Sequence, residues 1–303
     1  MKKTGLLFTS RNNYQLLDFW FENQPNLEEF SILNIDEDSS EENKSQGREI
    51  CKKHGVVYMD REERGMMHNL TTACKFFKNQ GLEWIVWNTH DSLPEKGFFN
   101  KFNKLVTDKN LNEFGVIGFN VLHDGKQQLA RTPLQPDKGQ FYDRYPQGES
   151  LPKKWSKPYA IESSVWTTAA VNISQYETHI IPTGDYHFFH AWDDIAFQFL
   201  YKNIYNIALP NFYVDHVQYV KKEFNLPHKS PHIGGNSNKS EEEREFYFSK
   251  WGHLQVWIDR WGFDWENRDT FEQVKDHYKN TLLYDFYYHD RNNLSYPLKS
   301  FDI

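Results

Sequence analysis

The opening third of the chain alternates short continuous apolar runs with stretches of helical spacing, and that alternation constrains the fold more than any other feature. Runs at 5–9 (GLLFT), 31–35 (SILNI), 56–59 (VVYM) and 83–88 (EWIVWN) read as buried strands. Between them, Leu16, Leu17, Trp20 and Phe21 fall at helical spacing after a Ser10/Asn12 cap. Ser39 and Glu42 match a capping box that Gly55 closes, and Met66, Leu70, Ala73, Cys74 and Phe77 form a stripe that ends at Gly81. Strands separated by helices predict a mainly parallel sheet covered on both faces. Ligands bind such sheets beyond the carboxyl ends of the strands. Those ends carry Thr9-Ser10-Arg11, Asp36-Glu37-Asp38, Asp60-Arg61 and Asn88-Thr89-His90-Asp91, a polar and partly acidic rim.

A fifth strand is expected over 115–122, after which periodicity disappears. Residues 124–160 hold Pro133, Pro136, Pro146, Pro152 and Pro158, and a loop of this length in a compact domain is usually functional or disordered. Its Phe141, Tyr142, Tyr145 and Trp155 favour a segment that covers an acceptor. A strand at 165–173, a helix from Asp193 with Ile195, Phe199 and Leu200 inward, and a strand at 211–217 complete a domain expected over 1–225. Residues 226–303 read as a mostly helical, aromatic-rich extension, with helices near 241–260 and 270–288 and with Trp251, Trp257, Trp261 and Trp265 concentrated in and after the first.

Bulk properties narrow the function classes. The net charge of −7 argues against a nucleic-acid or anionic-membrane partner, because either would need a local excess of Lys and Arg. Cys51 and Cys74, the only 2 cysteines, lie in predicted helices outside any C-x-x-C pair, so neither a disulfide framework nor a zinc knuckle is expected. No run approaches the ~18 apolar residues of a membrane span, and no apolar signal region precedes the first strand. A soluble, cytoplasmic chain with reduced thiols is the expectation. Aromatics at 17% suit carbohydrate contact and suit plain packing as well.

Four positions carry the chemistry. Asp91 closes a strand, Asp193 and Asp194 open a helix, and His216 closes a later strand. Each has an ordinary structural reading: a turn residue, a helix cap, a strand histidine, with His187 and His190 as rival imidazoles. In this order, however, they suit an enzyme that holds a divalent metal on a diphosphate and deprotonates an alcohol.

The succession of motifs resembles the GT-A glycosyltransferases, specifically the large inverting family 2 type, over roughly residues 5–217. Asp36-Glu37-Asp38-Ser39-Ser40 resembles the strand-2 D-x-x-S segment whose first Asp contacts the nucleoside. Arg64-Gly65-Met66-Met67-His68-Asn69 resembles the helix start that approaches the donor. Thr89-His90-Asp91 stands where that family has D-x-D, keeping only the last Asp. Asp193-Asp194 stands at its Glu-Asp, and His216 at a late metal-binding His. The resemblance implies a GT-A sheet and an inverting transfer from a nucleoside-diphosphate sugar, UDP before GDP, to a glycan or another hydroxyl acceptor. It implies donor contacts from Thr9, Ser10, Arg11, Asp36, Asp38, Arg64, Asn69 and Asn88. It also implies a divalent cation, Mn2+ or Mg2+, on Asp91 and His216, with Asp194, or failing that Asp193, as base.

Other classes fit less well. A nicotinamide-dependent dehydrogenase wants G-x-G-x-x-G after the first strand, where this chain has Thr9-Ser10-Arg11-Asn12-Asn13. A nucleotidyltransferase lacks its glycine-rich phosphate loop. A metal-dependent hydrolase, with water in place of the acceptor, and a non-catalytic sugar- or protein-binding module remain open.

Overall fold

A computed structural model describes residues 2–61, 65–123, 126–128, 157–161, 167–182, 191–216, 218–224, 279–291 and 298–303. Its centre is a ten-stranded sheet built from β1 (Thr4–Ser10), β2 (Ser31–Glu37), β3 (Val57–Arg61), β4 (Trp84–Thr89), β5 (Ser92–Pro94), β6 (Phe114–His123), β7 (Lys126–Gln128), β8 (Tyr159–Ile161), β9 (Thr168–Asn172) and β10 (Tyr205–His216). The order is β3-β2-β1-β4-β9-β6-β10-β5, with β7 on β6 and β8 on β10. The described helices are α1 (Tyr14–Asn23), α2 (Glu41–Lys53), α3 (Met66–Lys78), α4 (Phe98–Asp108), α5 (Ile173–His179), α6 (Ala191–Tyr201), α7 (Gln218–Phe224) and α8 (Leu282–Arg291).

The four N-terminal strands are parallel, as the alternation of types predicts, and β6 and β10 are parallel to each other. Between these two groups β9 runs antiparallel to both β4 and β6. An apolar run carries no record of its direction, so this reversal was not readable from the sequence.

Alternation along the strands divides the core in two. Leu7, Leu33, Ile85 and Trp87 face the layer of α3, α5, α6 and α8, while Leu6, Phe8, Ile32, Trp84 and Val86 face α1, α2 and α4. Trp20, Phe77 and Phe102 are fully enclosed. Burying a side chain of this kind stabilises by roughly 1.5–3 kcal/mol. Two glycines set the helix-to-sheet spacing. A Cβ on Gly5 would lie 2.4 Å from the Phe77 ring, and one on Gly115 would lie 2.4 Å from the Phe199 ring.

Three local signals act differently in the structure from what the sequence predicts. The residue that caps α1 is Asn13, left-handed at φ 50 with no side-chain cap bond, and not Ser10 or Asn12. The cap of α2 is Ser40, whose Oγ accepts from the Asn43 N–H at 3.4 Å, and Ser39 is used elsewhere. The run expected as one strand over 165–173 ends in a helix, because Asn172 accepts from the Gln175 N–H at 3.0 Å and caps α5.

Parts of the C-terminal region pack on the main core. Leu283 and Phe286 of α8 are buried with α6, and Phe301 sets its ring edge-on to Phe114 and Tyr205. The Ala160 and Phe301 N–H groups donate to the Lys299 and Pro158 carbonyls, each at 2.8 Å. The four C-terminal tryptophans, His187, His190 and most of the 124–160 segment lie outside the described residues. Cys51 and Cys74 are buried free thiols, and burial pushes Cys51 up to about 12. Among the described residues no helix is long and apolar enough to cross a membrane.

Candidate active site

The carboxyl ends of β1, β2 and β4 are neighbours in the sheet, with Ser10 beside Asp36 and Thr9 beside Thr89. That register draws Thr9, Ser10, Arg11, Asp36, Asp38 and Asn88 to one edge. The Thr9 hydroxyl accepts from the Trp87 indole N–H at 3.0 Å, and the Ser10 hydroxyl donates to Asn34 Oδ1 at 2.8 Å. Asn88 is enclosed in β4 and accepts from the Thr168 hydroxyl at 3.3 Å. Arg11 leans on the following loop, its Nε donating to the Asp38 carbonyl at 3.4 Å.

Asp36 is fully enclosed. Its Oδ1 accepts from the Ser39 N–H at 2.9 Å, and its Oδ2 accepts from the Tyr14 hydroxyl. Burial, and then the hydrogen bond to Asp36, hold the Tyr14 hydroxyl well above its ordinary value, so it stays a neutral donor. Asn69 lies next door: its amide donates to Glu37 and accepts from Arg61 at 3.0 Å. Arg64 lies outside the described residues.

The two expected metal ligands come together. β4 ends at Thr89, His90 and Asp91 make a turn, and β5 pairs back onto β10 with Ser92 opposite His216. His216 Nε2 thereby stands 3.6 Å from Asp91 Oδ2, with side-chain exposures of 4% and 15%. The turn is pinned by the Trp20 indole N–H, which donates to the Ser92 carbonyl at 2.7 Å, and by a 3.0 Å contact between the Thr89 and Ser92 hydroxyls. Burial holds the neighbouring His90 imidazole below its ordinary value, against the pull of the Asp91 charge. A carboxylate oxygen suits a hard divalent cation, and an imidazole nitrogen favours a transition metal, so the pair fits Mn2+ better than Mg2+. Two ligand atoms of one octahedral cation at ~2.1 Å stand roughly 3 Å apart. The pair therefore needs only a small adjustment to share an ion.

Asp193 and Asp194 occupy the first turn of α6, both buried, where the helix dipole favours negative charge. Gln198, one turn on, donates to Asp194 Oδ1 at 3.3 Å. The Trp192 ring packs 5.4 Å from Trp87, and through Trp87 the start of α6 is tied to Thr9 on β1. Among the described residues, one further acidic and imidazole group lies away from this edge: the ligand atoms of Asp18, Glu22 and His54, on α1 and just after α2, are within 4.8 Å of one another. The sequence reading missed this group. Tyr14 and Gln198 are not marked by the sequence pattern, while Ser39 and Glu37 read in sequence only as cap, motif or rim residues and not for their bonds to Asp36, Asn12 and Asn69.

No protein-family model matches the chain, and no curated protein matches it. Solved structures do. A crystal structure of the GT-A glycosyltransferase GalNAc-T7 with UDP, GalNAc and Mn2+ superposes over 97% of this chain, with a TM-score of 0.59 at 11% identity. The chain has the GT-A fold. This GT-A chain spans 59% of the length of the GalNAc-T7 chain. S. aureus TarS also matches, over 70% of this chain and 36% of its own, with a TM-score of 0.45 at 12% identity.

Proposed function

We propose that this GT-A chain is a glycosyltransferase that moves a sugar from a nucleoside-diphosphate sugar, UDP-linked by preference, to an acceptor hydroxyl with inversion. The observation that carries the proposal is the meeting of Asp91 and His216 at the end of β4. A carboxylate and an imidazole far apart in sequence converge at the ligand-binding end of a fold whose solved neighbour holds UDP and Mn2+. Asp91 and His216 would hold the divalent cation, with the donor diphosphate completing its shell. Bound there, the cation supplies Lewis-acid neutralisation of the departing diphosphate.

The chain's own residues do the rest. The Thr9–Arg11 and Asp36–Asp38 segments shape the nucleoside end of the groove, and Asn88 braces β4 against β9. Asp194, held by Gln198 at the start of α6, takes the acceptor proton, and Asp193 is the reserve. Attack from the face opposite the leaving diphosphate inverts the anomeric centre and needs no carboxylate nucleophile. Titration with UDP, with and without Mn2+, followed by product analysis of a UDP-sugar panel with and without an alcohol acceptor, tests this. Metal-dependent binding and acceptor-dependent transfer are expected. Release of free sugar alone, unchanged by acceptor, would make the chain a hydrolase, and no binding at all would end the reading.

A further inference from the structure

Both oxygens of the enclosed Asp36 carboxylate are taken by protein donors, and the donors come from different loops. Tyr14 opens α1 directly after the β1–α1 loop, in which Asn12 and Asn13 are left-handed at φ 53 and φ 50. Ser39 belongs to the β2–α2 loop, which begins at Asp38, left-handed at φ 63. The loops are also laced to each other. The Asn12 N–H donates to the Ser39 hydroxyl at 2.8 Å, and the Ser40 N–H donates to Asn12 Oδ1 at 3.2 Å.

Tyr14 itself is held from behind. It is fully buried, and a Cβ on Gly47 of α2 would lie 2.5 Å from its ring, so the ring lies directly on the helix backbone. The Ser10 hydroxyl sits 3.1 Å from the Tyr14 hydroxyl and extends the network to Asn34. Asn and Asp enter the left-handed region more readily than other non-glycine residues, but a loop keeps that shape only where its surroundings fix it. Here the surroundings are Asp36 and the groups it holds.

We propose that Asp36 is a positioning residue that acts through Tyr14 and Ser39, and that it sets the nucleotide-facing shape of both loops without touching the nucleoside. This deepens the donor-site reading above and rests on it. It reassigns recognition of the base from the Asp36 side chain to the loop backbones and to Arg11 and Asp38 at their tips. Tyr14 becomes a determinant of donor affinity despite its burial.

The test is UDP, CDP and GDP binding by titration calorimetry for the wild type, Tyr14→Phe, Asp36→Asn and the double variant, with circular dichroism melts as a folding control. Phenylalanine keeps the ring on Gly47 and removes only the hydroxyl, so Tyr14→Phe carries the test even if Asp36→Asn fails to fold. Each single variant should weaken UDP about 10-fold, the scale of one hydrogen bond to a charged group. The double variant should lose no more than the worse single, because both break one linkage. The ratios among the three nucleotides should stay within about twofold of wild type. Tyr14→Phe binding UDP like the wild type would overturn the proposal, as would an Asp36→Asn chain whose UDP-to-CDP preference shifts about 10-fold or more. A wild type that binds none of the three nucleotides removes the donor-site reading, and the inference with it.

Discussion

Two Asp–His pairs stand out among the described residues, and the tighter one is the less promising. On the outer side of α1 and α2, His54 Nε2 stands 2.6 Å from Asp18 Oδ1, with Glu22 nearby. Lys53 reaches into that group, with its Nζ 2.8 Å from Asp18 and 2.7 Å from Glu22. The cluster has brought its own cation, and Lys53 and Glu22 are half-exposed to water, where such contacts contribute little. The Asp91–His216 pair is longer, at 3.6 Å, but it is almost enclosed, sits at the ligand end of the sheet, and joins the end of β4 to the end of β10. Composition and distance alone would favour the outer pair. What separates them is the cation already present in one and the position of the other on the fold.

The largest expected effect tests whether chemistry belongs to the inner edge at all. Asp194→Asn keeps size and most hydrogen bonds but removes proton-accepting power, so transfer should fall by about 10²-fold or more while donor binding persists. Asp193→Asn should lose less, unless the two carboxylates share the proton and titrate as a unit. Measuring both under saturating donor decides the matter. Full transfer in Asp194→Asn with an inactive Asp193→Asn moves the role back one residue.

The pairs themselves are compared next. Asp91→Asn should weaken the Mn2+ response of UDP binding by roughly 10–100-fold, the scale seen when metal-site support is removed, and His216→Ala should act in the same direction more mildly. Asp18→Asn should leave the Mn2+ titration where it was. An Asp18→Asn chain that loses the response while Asp91→Asn keeps it would reverse the assignment.

The inner pair was legible in the sequence for a physical reason, and the outer polar network was not. Asp91 and His216 each end an apolar run, so burial pattern alone placed both at strand ends, where a parallel sheet collects its ligands. Asp36 was placed the same way. Its bond to Tyr14 was hidden, because Tyr14 reads as one more member of the apolar stripe of α1 and its partner lies on another element. The four N-terminal strands were readable as continuous apolar runs, whereas the reversed direction of β9 leaves no mark in composition. Helix α4 is a different case. Phe98, Phe102 and Val106 recur at helical spacing, and the signal was present but unread.

A smaller effect separates the shape of the nucleoside loops from their chemistry. Gly47→Ala would place a methyl 2.5 Å from the Tyr14 ring and should destabilise the fold by about 1–2 kcal/mol through forced displacement. If Tyr14 sets the loops, UDP affinity should fall in the same variant, as read by a thermal melt paired with a UDP titration. A melt shift with unchanged affinity would separate the packing of α2 from the donor site.

The smallest effect belongs to the outer pair and carries a pH signature. Burial raises the Asp18 carboxyl somewhat, but the bonds from Lys53 and His54 outweigh it and hold the group below its ordinary value. A carboxylate with a depressed folded-state value contributes stability that is fully present above the unfolded value, ~3.9, and is lost as pH falls below it toward the folded value. Asp18→Asn should therefore cost about 0.5 kcal/mol or less at neutral pH, and the gap between the two melting curves should close on acidification below ~4. Chemical denaturation at pH 7 and near pH 3 checks both the size and the sign. A loss of several kcal/mol, or a gap that widens on acidification, would mean that the outer cluster is more than a solvated ion network and would weaken the ranking of the two pairs.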